Sequence, residues 1–74
     1  MKTIEEYMKL PYKMEIVPDE EGVYVVSFPE LPGCLSTGDK IEEAIKNAVD
    51  AKRAWFEAAI EDGVEIKAPT SYKK

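Results

Sequence analysis

Residues 39–62 carry the pattern that most limits what this chain can become. Ile41, Ala44, Ile45, Ala48, Val49, Trp55, Phe56, Ala59 and Ile60 recur at spacings of three and four, interrupted only at Lys52. The spacing predicts one helix from Asp39 or Lys40 to Asp62. Asp39 with Glu42 reads as its capping box, and Gly63 as its left-handed stop. At about 1.5 Å per residue such a helix runs roughly 35 Å, against roughly 20 Å for a six-residue strand. The rest of a 74-residue chain can supply only a few short strands. The helix end with Trp55, Phe56 and Ile60 is therefore expected to overhang the sheet and leave apolar surface uncovered.

Those strands are marked by alternation and by turn residues. In residues 12–17, Tyr12, Met14 and Ile16 fall on one side and Lys13 and Glu15 on the other, which predicts a half-buried strand. Residues 18–22 (PDEEG) predict a turn, and residues 23–28 (VYVVSF) a second, more central strand that closes an antiparallel hairpin. Pro29-Glu30-Leu31-Pro32-Gly33-Cys34 predicts a stiff loop, because each proline fixes its own φ and extends the residue before it. Residues 34–37 predict a third strand, and residues 64–66 a short edge strand after the helix. Within residues 1–10, Thr3 and Glu6 form a second capping box on a short helix ended by Pro11, and residues 67–74 read as a flexible tail. The expectation is one α+β domain over residues 1–74: a small antiparallel sheet of three to four strands in β-β-β-α-β order, packed by one long helix, with a short N-terminal helix.

The residue inventory excludes most chemistry. One cysteine and no histidine rule out an internal disulfide, a Cys/His zinc site and nucleophilic catalysis of the Ser-His or Cys-His type. No base stands between Cys34 and Lys40 to activate the thiol, so Cys34 reads as a small apolar residue opening a strand. Asp19, Glu20 and Glu21 are a carboxylate run, but neighbouring turn carboxylates point apart, and the spacing matches no calcium loop. No phosphate loop or dinucleotide fingerprint occurs. The reading is no catalytic residue, no cofactor and no metal. Trp55 and Phe56 read as core. Lys52, inside the apolar stripe, reads as a lysine snorkelling at the rim, the alternative being an ion pair across a subunit interface.

Charge is informative through its placement. The net charge is −5, and residues 19–43 hold seven acids against Lys40 alone. A one-signed stretch repels phosphate and attracts basic surfaces, so direct nucleic-acid binding by this chain alone is not expected. A basic protein partner and plain solvation of a small surface both fit the acids. Glu5 and Glu6 break any leader-like apolar run, and no stretch approaches the roughly 20 apolar residues that span a bilayer. With a free cysteine, the expected setting is cytoplasmic and no membrane association is foreseen. A domain this small without staples is also expected to self-associate as a homo-oligomer, through unblocked edges at residues 34–37 and 64–66.

The order strand, acidic turn, strand, FPELPGC, STGD and a long helix opening IEEAIKNAVDA resembles the HicB family of antitoxins. The likeness runs from LPY at the first strand, through PDEEGVYVVSFPELPGCLSTGD, to AKRAWFEAAIEDG and a proline near the end. It implies a truncated ribonuclease-H-like domain of three to four strands and one long helix. It also implies neutralisation of a HicA-like toxin, a small basic mRNA-cleaving protein. This chain has Lys40-Ile41 where the family often has Ser/Thr-Pro before EEA, and autorepression by this chain alone, through the operator-binding motif that many members carry, is not expected. An orphan HicB-like domain acting as a homo-oligomeric structural or adaptor module is the alternative. The partner surface is expected at the hairpin turn and the stiff loop: Asp19, Glu20, Glu21, Glu30 and Leu31. Against this, the loop simply shapes a turn between two strands.

Overall fold

A computed structural model describes residues 2–69. The order is α1 (Ile4–Met8), β1 (Glu15–Pro18), β2 (Tyr24–Ser27), β3 (Leu35–Gly38) and α2 (Ile41–Asp62). The strands form one antiparallel meander, β1-β2-β3, with Ile16, Val26 and Ser36 side by side across it. This is the expected α+β arrangement of a short helix, a small sheet and one long helix.

Gly38 sets how closely helix and sheet approach. A Cβ there would lie 2.5 Å from the backbone nitrogen of Ala44, so only glycine lets α2 settle this tightly on β3. Ala44 and Ala48, fully buried, keep that contact thin. Beneath them Val26 and Phe28 fill the layer, each contributing about 1.5–3 kcal/mol by leaving water. Gly63 ends the helix at φ 72°, donating its N–H to the carbonyls of Ala59 and Ile60.

Five local expectations are corrected. The helix begins one residue later than the capping box implied. Lys40 is the N-cap, extended at φ −126°, and offers no side-chain bond. The Asp39 N–H instead takes Oε1 of Glu43 at 2.9 Å. The Thr3–Glu6 box at α1, by contrast, is made in both directions, at 3.2 and 2.8 Å.

Pairing at the first strand covers Glu15–Pro18 only. Tyr12 is buried as expected, yet Ile16 remains 40% exposed. The cause is the position of α2, which packs on β3 and β2 and does not reach β1.

No edge strand forms at residues 64–66. Val64 bonds back to Ala59 at 2.8 Å, and the chain passes over Tyr12, whose hydroxyl donates to the Lys67 carbonyl at 2.5 Å. Pro69 is buried; residues 70–74 of the expected tail lie outside the described residues.

The far end of α2 is not bare. Tyr7 of α1 stacks on Phe56 at 5.1 Å, Tyr12 tilts against it at 5.6 Å, and Phe56 is fully buried. Arg53 clamps α1 through both oxygens of Glu5, at 2.8 and 3.2 Å.

Lys52 does not sit at a rim. It is 9% exposed, with Nζ 5.0 Å from the centre of the Phe28 ring. Burial pushes its pKa below the ordinary lysine value.

Candidate protein-interaction surface

The two halves of the expected partner surface lie at opposite ends of the sheet. Asp19, Glu20 and Glu21 form the β1–β2 turn, closed by Asp19 N–H to Val23 carbonyl at 2.6 Å and by Gly22 at φ 88°. Glu30 and Leu31 belong to the β2–β3 loop, beyond the other end of β2. Six strand-like residues separate the two, about 20 Å. Glu20 and Glu21 are exposed, while Oδ1 of Asp19 accepts the Glu20 N–H at 2.6 Å.

Topology gives the turn acids new neighbours. Tyr24 pairs with Gly38, so Asp39 and the first turn of α2 stand beside the turn. Asp39, Glu42 and Glu43 thus join Asp19, Glu20 and Glu21 at one end of the molecule, with Lys40 the base among them. Glu42 and Glu43 also complement the helix N-terminus, so this acidic pole is partly paired with the helix dipole. The strand pairing of a three-stranded meander is the signal that links residues 39–43 to 19–21; charge counting along the chain does not supply it.

The opposite end is stiff and partly apolar. The loop is laced by Phe28 N–H to Cys34 carbonyl, Leu31 N–H to Phe28 carbonyl and Cys34 N–H to Leu31 carbonyl, at 2.9–3.0 Å. Leu31 is 1% exposed, so it anchors the loop from inside and presents no side chain to a partner. Glu30 accepts the Lys13 N–H at 3.0 Å. Trp55 donates from Nε1 to the Pro32 carbonyl at 2.8 Å, tying loop to helix. Beside it an open cleft of about 460 Å³ runs along the helix end, lined by Pro32, Trp55 and Val64 with Glu30, Asp62 and Glu65 at its edges.

Cys34 is buried and its pKa is raised by that burial, with Lys52 nearby only partly opposing it. No group of three potential metal ligands converges among the described residues, and no described helix is long and apolar enough to cross a membrane.

Residues 12–74 match the family described as HicB_like antitoxin of bacterial toxin-antitoxin system. The chain belongs to the HicB-like antitoxin family. Among similar proteins, Antitoxin HicB 1 of Photorhabdus laumondii is 45% identical over 78% of this chain and 37% of its own length. Antitoxin HicB of Escherichia coli K12 is 36% identical over 80% of this chain and 43% of its own. A UPF0150 protein of Thermoplasma acidophilum is 43% identical over 66% of this chain and 71% of its own. The chain thus spans well under half of the two HicB antitoxins it matches. The match covers the acidic turn, the loop and all of α2.

Proposed function

We propose that this HicB-like chain acts as the antitoxin of a toxin–antitoxin pair, binding a basic, RNA-cleaving toxin of the HicA kind and holding it inactive. Family membership supports the antitoxin role, and the acidic pole carries the physical case. Six carboxylates at one end attract a basic protein over about a Debye length, roughly 8–10 Å, and raise its rate of encounter. Asp19, Glu20 and Glu21 steer; the pre-ordered loop with Glu30, shaped from within by Leu31, gives a second contact that loses little chain entropy on binding. In the same reading the meander and α2 are a partial ribonuclease-H-like domain without nuclease activity, working in the cytoplasm as a protein-binding module.

The test uses a purified basic toxin of the HicA kind. Reversing Glu20, Glu21 and Glu30 to Lys is expected to slow association several-fold at low salt and to flatten its salt dependence, with circular dichroism unchanged. An unchanged rate and salt slope would make the acids mere solvation, with docking elsewhere.

A further inference from the structure

The two edges of the sheet are not equivalent. At β3, consecutive residues alternate in where their backbone groups point. Cys34 turns its carbonyl to Phe28 of the neighbouring chain segment, so Leu35 and Thr37 point outward. There Asn47 of α2 donates to the Thr37 carbonyl at 2.9 Å, and α2 itself lies over the strand. Two copies joined at β3 would sit about 4.8 Å apart at the strands, while packed helices need about 8–10 Å. The helix closes that edge.

At β1 no helix of the described residues packs on the strand. The Asp19–Val23 bond fixes the phase, so Glu15 and Val17 face β2 while Ile16 and Pro18 turn their backbone groups outward. Lys13 obeys the same phase, its N–H directed to Glu30 on the β2–β3 loop. Pro18 occupies an outward position where no inward donor is lost. Ile16 shares the face of Val26, under the helix layer, yet is 40% exposed. Val49 and Ile45 stand one and two turns before Arg53, on the α1-facing flank of α2 and away from Asn47. Val49, like Ile16, leaves apolar surface exposed, at 36%.

We propose that β1 is the site at which a second copy of this chain docks, antiparallel and centred on Ile16, extending two three-stranded sheets into one. In that register Ile16 exchanges N–H to carbonyl bonds with Ile16 of the second copy, and each Met14 N–H meets the opposite Pro18 carbonyl. The missing proline donor removes only one further bond at each end. The paired Ile16 side chains cover one another on the face that Ile16 shares with Val26. On the opposite face Lys13 falls across from Asp19 of the second copy, twice by symmetry, which is the charge complementarity that selects this register over a slipped one. The existing Lys13–Glu15 contact at 3.6 Å is exposed on both sides and yields readily. This interface is independent of any toxin.

Sedimentation equilibrium of the full chain, up to high micromolar concentration, tests it. The expected result is a reversible dimer that Ile16→Arg converts to monomer with an unchanged circular-dichroism spectrum. Lys13→Glu and Asp19→Lys are each expected to weaken dimerisation by about tenfold, and the double variant K13E/D19K to regain most of that loss. A chain that stays monomeric overturns the proposal. So does a dimer that survives Ile16→Arg, one abolished instead by Leu35→Arg at β3, or one whose single charge reversals are not rescued by the swap.

Discussion

The two halves of α2 carry the same apolar period and meet different fates. In the second half Phe56 is fully buried and Ala59 nearly so, sealed by Tyr7, Tyr12 and the Pro32 loop. In the first half Ala44 and Ala48 are buried, but Ile41 is 45% and Val49 36% exposed, and the helix starts without a side-chain cap. Period fixes which residues share a face; burial depends on which segments fold back to cover it. Residues distant in the chain, 7, 12 and 32, do that for the second half, while nothing within the described residues does it for the flank of the first.

The largest effect should separate those halves outright. Phe56→Ala is expected to destabilise by about 3–5 kcal/mol, enough to unfold most of so small a domain, whereas Val49→Ala should lie within about 0.5 kcal/mol of wild type. Urea denaturation of both variants in the Ile16→Arg background, which keeps dimerisation out of the reading, reports the contrast, and similar losses at the two positions would break it.

Lys52 marks the junction. Its pKa is lowered by burial, so the folded chain gives up this proton at a lower pH than the unfolded chain, which holds it up to the ordinary value of 10.5. Below the lowered pKa the full penalty applies; as pH rises from there toward 10.5 it is relieved. Lys52→Met is expected to stabilise by about 1 kcal/mol at neutral pH, the contact with Phe28 offsetting part of the gain. That advantage should shrink as pH climbs toward 10.5, and thermal melts across the alkaline range would reveal a flat difference if the lysine carried no such penalty.

The smallest effect concerns the uncapped start. Lys40→Ser places a hydroxyl at the N-cap and should add about 0.5–1 kcal/mol, measurable by chemical denaturation. No gain would mean that the Asp39–Glu43 contact already holds the first turn.

Local signals were readable residue by residue. Thr3 and Glu6 cap α1 because a capping box needs only four residues, and Gly63 stops α2 because a left-handed end needs only glycine. Asp39 failed as a cap although its chemistry suited the part, since the extended residue at the helix entry is Lys40. The alternation around Ile16 gave the correct face but not its cover, because no short-range pattern says how far a helix reaches across a sheet. The candidate surface divides in the same manner. Its acids are visible in the chain, yet grouping Asp39, Glu42 and Glu43 with the turn, and separating Glu30 from it, needs the pairing of Tyr24 with Gly38. Leu31 looked available beside two prolines and is interior because the loop folds it under.

The bond from Trp55 to the Pro32 carbonyl has an optical consequence. This is the chain's sole tryptophan, and its indole sits at the mouth of the cleft, half in water. Its fluorescence therefore reports on one end of the molecule alone. A protein seated on the loop would dry the ring and move its emission to shorter wavelength, while one held by the carboxylates at the far pole would leave the spectrum where it was. The molecule carries its own lamp at one of its two ends, and which complexes change its colour is a map of where they sit.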